Sequence, residues 1–476
     1  MQNKLYFVVI PVIFTALIYL LDFNTTILGI SSMSDEFDLN LRLTSWIILS
    51  SSIIMTAFLL PIGNLADLLN RKFFYIISLI IYLFGLLLSS FSSNVYMLIL
   101  FKTISAIGST GSSILMFVVI TSTFPKKYQG LGLSIITTAV ASGQMIGPLF
   151  AGFLLENYGW RFAYQLIFGM GLFTLLMVIM FVPKLDRPKL EVKHIDTFGI
   201  FYSLMFMTLF VFIINDPFNL GFYSLGNMLQ IIIFIIFIYL FYKREKKFNN
   251  PILILKNFSN PLYLWGTISR ILGFTGFSIL IFLNPIFLQK VVGISESSSG
   301  LILFYSGTGT VIASSISGRL SDKFGHRIFM IIGMLCSAFA NIILSFLAND
   351  FNFILFTSLM FINGFGIGLW MAPNMSAVLK SVSENQYGSV SAYLNLIRNI
   401  GTTIGQSLAA TILVIFLSSG ITDVQLSDIN SNSPDEILQL FRNGWRLTLI
   451  ISSIIIFISV LASYKTKEEE RNEYFK

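Results

Sequence analysis

The chain is poor in the residues from which soluble catalytic sites are made. Its 476 residues include one cysteine and two histidines. Cys336 lies inside an apolar run, so an internal disulfide is excluded and the residue reads as small core filling. His194 and His326 stand apart in short polar segments, which argues against a histidine metal site or a Ser-His-Asp triad. No G-x-x-x-x-G-K-[ST] string occurs, so ATP is not the direct energy source. No cofactor and no metal is expected. Charge is scarce too: 11% of residues are Asp, Glu, Lys or Arg, against 55% hydrophobic. A mean hydropathy of +0.81 lies far outside soluble averages. No soluble core of this length hides so much apolar surface. The net charge of +7 is spread singly over short loops rather than gathered in a patch, so no nucleic-acid partner is expected.

What is present in quantity is long apolar runs. Read as membrane helices of roughly 18–30 residues, they number fourteen. The first seven are 6–30, 45–66, 73–93, 96–122, 130–154, 161–182 and 197–215. The second seven are 224–243, 262–287, 298–320, 327–348, 353–378, 388–417 and 444–463. The first run holds Asp22 and is too long for a cleaved signal peptide. With both termini cytoplasmic and all runs crossing, 22 of the 30 Lys and Arg fall on the inner side and 5, including Arg42, Lys290 and Arg446, on the outer. That asymmetry is the positive-inside pattern of a multi-pass protein of the cell membrane.

Two strings organise the runs: GNLADLLNRK at 63–72 and GRLSDKFGHR at 318–327. Each follows the second helix of a group and repeats a Gly, an acid and basic residues in one order. The chain therefore reads as an all-α integral membrane protein of two six-helix bundles plus two inserted helices. The expected domains are 1–183, a linker and inserted pair at 184–256, and 257–476 with an outer loop at 418–443, which carries a short amphipathic helix near 434–442, and a charged tail. Duplicated membrane architecture is what alternating-access transporters use.

The same strings resemble the major facilitator superfamily. GRLSDKFGHR matches its loop signature G-x-L-x-D-[RK]-x-G-x-[RK] throughout, whereas in GNLADLLNRK Leu68 and Asn70 replace the usual Arg and Gly. GQMIGPLFAG at 143–152 resembles the antiporter signature, with Ala151 for one Gly. LDFNTT at 21–26 is similar to the first-helix signature of the fourteen-span drug:proton antiporters, although Ser31 stands where that family has Pro. GWR at 159–161 and RNIGTTIG at 398–405 also resemble that family, and similarity extends over nearly the whole chain. The resemblance implies the major facilitator fold, a monomer, and proton-coupled efflux of small hydrophobic compounds of the multidrug-resistance type. An exporter or flippase for one endogenous lipid or metabolite would carry the same motifs and stays open; either way the protein is a secondary transporter and not an enzyme.

Individual residues have physical readings. Gly63 and Gly318 are expected to permit a tight helix exit, with Asp67 and Asp322 at the start of the next helix and Arg71 and Arg327 pairing nearby as a cytoplasmic latch. Gly143, Gly147 and Gly152 are expected to let their helix approach a neighbour, and Pro148 to bend it. Four ionisable groups lie inside the runs away from their ends: Asp22, Lys102, Arg270 and Arg398. Each costs about 2.5–3.5 kcal/mol at the bilayer centre on insertion scales, so a partner or a cavity is expected. Helical rise places Asp22 and Lys102 at similar depth, which makes a pair feasible and Asp22 the expected proton acceptor. Thr26 extends the polar face of Asp22, while Asn363, Asn395 and Gln406 are expected to line a pathway beside Arg270 and Arg398. One acid against three bases favours neutral, zwitterionic or anionic amphiphiles over dications. The expected partners are a small-molecule substrate, protons and membrane lipid.

Overall fold

The computed structural model describes residues 2–68, 70–124, 129–183, 196–215, 224–247, 255–383, 386–420 and 426–466. The linker at 184–195, residues 216–223 and the tail from 467 on therefore lie outside the described residues. All described elements are helices: α1 (Gln2–Leu28), α2 (Ile30–Glu36), α3 (Leu41–Leu68), α4 (Arg71–Ser90), α5 (Val95–Thr123), α6 (Gln129–Phe181), α7 (Thr197–Asn215) and α8 (Leu225–Glu245), then α9 (Pro261–Ile286), α10 (Glu296–Phe324), α11 (His326–Phe346), α12 (Phe353–Lys380), α13 (Tyr387–Gly420) and α14 (Asp435–Tyr464). Short polar residues mark where several begin. Asn70, Asn94, Ser224, Asn260 and Asn352 each accept a backbone N–H of the first turn.

Twelve segments among the described residues are long and apolar enough to cross a membrane. One of them, Ile135–Phe181, has 47 residues. At about 1.5 Å per residue it is more than twice the thickness of a hydrocarbon core. It breaks at Gly159, whose φ of 77° only glycine adopts without strain, and so supplies two crossings. α7, 19 residues of nearly unbroken apolar sequence, is a further apolar helix but is not among those twelve segments.

The chain forms two compact units. The first holds residues 1–250 together with 293–304 and 423–430. In it α1 packs on α6, α4 on α5 and α6, and α3 on α5. α7 and α8 pair with each other, and α7 also packs on α3. The second unit holds 251–292, 305–422 and 431–476, with α9 against α13 and α14, and α11 against α12 and α14. Contact in both is close because small residues sit at the crossings. A Cβ on Gly108 would meet the Tyr82 backbone nitrogen at 2.2 Å, and one on Gly364 the Ser306 carbonyl oxygen at 1.9 Å.

Four expectations are corrected. Gly318 does not end a helix: α10 runs on to Phe324, and Gly325, with φ 88°, makes the turn that Gly318, with open space around it, need not make. Asp322 accordingly lies in the last turn of α10 rather than at the start of α11. Lys290 is buried in a π-helical turn, Phe287–Val292, that continues α9 until Gly293 takes a φ of 78°. No separate amphipathic helix precedes α14, which is continuous from Asp435 because Gly444 stays helical and packs on Leu413 and Phe416.

Candidate functional site

In the first unit the two rare charges meet. Lys102 on α5 donates through Nζ to Asp22 Oδ1 on α1 at 2.6 Å, with side-chain exposures of 5% and 13%. A second Nζ proton goes to Thr26 Oγ1 at 2.9 Å. Thr26 sits one helical turn after Asp22, which brings both oxygens to the same ammonium. The Thr26 hydroxyl also shares a hydrogen bond of 2.9 Å with the Tyr164 hydroxyl of α6, whose ring lies 4.9 Å below Lys102 Nζ. Tyr82 stands beside the Asp22 carboxylate, donates to the Ile18 carbonyl at 3.3 Å, and packs edge-on against Tyr19. Tyr19 in turn donates to Ser112. The arrangement is a charge pair in a collar of tyrosines, with an ammonium that keeps a hydroxyl and a π face if the carboxylate is neutralised.

Sequence reasoning brings Asp22, Lys102 and Thr26 together but misses Tyr82 and Tyr164. Their signal was available: a tyrosine hydroxyl inside an apolar span needs a polar partner.

The second unit holds the other two of the four charges singled out by the sequence. Arg270 on α9 is buried and donates through Nε to the Leu394 carbonyl of α13 at 2.9 Å, and through Nη1 to Asn374 Oδ1 of α12 at 3.3 Å. Asn374 is held in place by its own donation to the Gly266 carbonyl at 2.9 Å. Beneath Arg270 the Phe274 ring lies 5.1 Å away, with Trp370 edge-on to it and donating to Ser269 at 2.9 Å. Arg398 and Asn395 are half-buried on α13, and Gln406 is fully buried further along it. Asn363 is taken elsewhere. Its amide donates to Ser337 at 2.8 Å and Asn341 at 2.6 Å, and Asn341 donates to Ser452 at 3.1 Å, a polar tie across α11, α12 and α14.

The remaining signature residues are structural neighbours of these sites. Cβ atoms on Gly143 and Gly147 would meet Leu20 at 2.5 Å and Asn24 at 2.6 Å, so α6 lies directly on α1 where Asp22 sits. α6 remains helical through Pro148. Gly152 faces the backbone of Glu296, within the first unit, where Glu296 also accepts from Ser32 at 2.7 Å. In GWR, Gly159 makes the turn while Trp160 donates to Glu36 at 2.7 Å and Arg161 bridges Glu36 and the Ser92 carbonyl. Arg71 donates to Ser122 at 2.5 Å, and Arg327 stacks 4.0 Å from the Tyr464 ring. Asp322 pairs with Lys380 at 2.9 Å, and Lys380 also reaches His326 Nε2 at 3.0 Å. Gly63 and Asp67 are corrected in the same way as Gly318 and Asp322: α3 runs on to Leu68, so Gly63 does not end its helix and Asp67 lies in its last turn rather than at the start of α4, and their side chains lie outside the described residues.

Known proteins resemble this chain along most of its length. It is 26% identical over 395 residues to the riboflavin transporter RibZ of Clostridioides difficile strain 630, covering 82% of this chain and 84% of that protein. It is 26% identical over 390 residues to multidrug resistance protein 3 of Bacillus subtilis strain 168, covering 80% and 74%. Among solved structures, a bacterial homologue of the human lysosomal transporter Spinster matches the fold with a TM-score of 0.72 at 16% identity, over 98% of each chain. The family model of the Major Facilitator Superfamily matches residues 12–406 and 266–476. An all-helical chain with charges buried in its spans and this match from end to end belongs to the Major Facilitator Superfamily, and is a multi-pass membrane transporter rather than an enzyme.

Proposed function

We propose that this transporter exports small hydrophobic or amphiphilic compounds across the cell membrane in exchange for protons, by alternating access. The observation that carries the reading is the buried Asp22–Lys102 pair. Proton uptake by the Asp22 carboxylate cancels its charge and removes the ionic part of the contact. Lys102 keeps Thr26 and the Tyr164 ring, so the ammonium is not stranded, while the tie between α1 and α5 falls from an ion pair to a single neutral hydrogen bond. Two conformations that differ in access to Asp22 then differ in proton affinity, which is the requirement for coupling. The Asp322–Lys380 contact and the Arg71 and Arg327 anchors act as the cytoplasmic latch in this reading, the molecule works as a monomer, and both termini are cytoplasmic. Export rather than import is supported by the resemblance of 143–152 to the antiporter signature.

The test is reconstitution in proteoliposomes with an imposed pH gradient. Gradient-driven movement of lipophilic compounds, abolished by a protonophore and by Asp22→Asn, is the expected result. Undiminished coupled transport in Asp22→Asn removes that residue from the mechanism. A second reading, transport of one endogenous metabolite, draws support from the relative named a riboflavin transporter. Activity confined to a single compound among many decides for it.

A further inference from the structure

The charge of Arg270 is hydrogen-bonded but not neutralised by its described partners. Both described partners of Arg270, the Leu394 carbonyl and the Asn374 amide oxygen, are neutral. Arg398 has no hydrogen-bond or ion-pair partner among the described residues, and neither has Asn395, one turn before it. An arginine does not escape the cost of burial by losing its proton.

The position of Arg398 is set by its helix. Leu394, one turn earlier, is fully buried and offers its carbonyl to Arg270. Gly401 and Gly405, the next positions on the same stripe, press against α9: Cβ atoms there would meet the Ile271 carbonyl at 2.7 Å and the Thr275 carbonyl at 2.1 Å. Arg398 therefore lies on the α9-facing seam and not on a lipid face. Arg270 reaches the carbonyl one turn before Arg398 on that seam, which brings the two arginines to the same α9–α13 contact. Arg270 lies over the Phe274 ring, which Trp370 meets edge-on, and Arg398 and Asn395 add N–H donors that no described residue accepts.

We propose that Arg270, Arg398 and Asn395 form an oxyanion-binding site, taking the carboxylate or phosphate group of an organic anion whose apolar body lies against the neighbouring aromatic side chains. Planar forks of N–H donors match such groups two bonds at a time. The inference rests on the reading that these helices carry a small-molecule cargo, and it names the charge of that cargo.

The test measures binding apart from transport. The full-length protein in phosphatidylcholine nanodiscs is titrated with 1-naphthylacetate, its amide and the matching trimethylammonium compound, with thermal stabilisation as readout. The expected order places the carboxylate first, about tenfold or more ahead of the amide, as loss of a charged hydrogen bond implies. Arg398→Gln removes that preference and Arg398→Lys retains part of it. Should Arg398→Gln fail to fold, the wild-type preference and the lysine variant decide. Stabilisation by phosphatidylglycerol nanodiscs, lost in Arg398→Gln, upholds the site with a lipid headgroup as its anion. Equal binding of carboxylate and amide, preference for the cation, or no response to any anion overturns the proposal. Gradient-driven efflux indifferent to the carboxylate sinks this inference alone, whereas carboxylate-selective binding without coupled transport sinks only the function proposed above.

Discussion

The two units treat buried charge in opposite ways. In the first, Lys102 and Asp22 face each other with a hydroxyl and an aromatic ring as reserve partners. In the second, Arg270 leans on neutral oxygens and Arg398 on nothing among the described residues. A charge balanced internally changes state by gaining a proton. A charge left unbalanced waits for a counter-charge from outside. On the function and the site proposed above, coupling chemistry and cargo chemistry sit on different helices.

The largest expected effect breaks the first half of that contrast. Asp22→Asn should lower proton-driven transport at least tenfold, measured in proteoliposomes at matched protein content, because the residue would no longer carry the exchangeable proton. Next, Lys102→Met should destabilise the protein by about 3–5 kcal/mol, since it leaves a carboxylate buried without its counter-ion. Adding Asp22→Asn to it should recover most of that loss, which thermal unfolding in detergent reads directly. Arg398→Met sharpens the comparison from the other side. Its melting temperature should stay level or rise, because no partner is orphaned, and a large fall would mean that Arg398 is already neutralised. Glu36→Gln should cost about 1 kcal/mol, as it weakens the half-exposed clamp on Trp160 and Arg161 without creating a cavity. The smallest stability change is expected for Asp322→Asn, whose pair with Lys380 is exposed and worth about 0–1 kcal/mol. A drop in turnover well beyond that change would support the latch role.

How much of this was legible depends on the kind of partner. Asp22 and Lys102 stand out because charge inside an apolar run is costly, and helical rise sets their depth, so a pair followed from arithmetic. Tyr164 lies 138 residues from Thr26, and no local pattern records which way its helix is turned. The acceptor for Arg270 is a backbone carbonyl, a group every residue owns and no letter marks. Asn363 shows the reverse ambiguity. A polar residue on a helical stripe faces either a pathway or a neighbouring helix with polar residues of its own, and the second is found here. Gly318 and Gly325 both lie in the second repeated string, and only backbone geometry shows that the later one turns the chain.

Hydropathy and the placement of rare charges were enough to establish an all-helical membrane protein and the four groups that need an explanation, since the bilayer penalises every misplaced polar residue whatever it touches. Which of those groups are neutralised was decided by tertiary structure alone. Pairing turns on helix rotation and on crossings brought close by glycine, and a shift of one residue moves a side chain by about 100° around its helix.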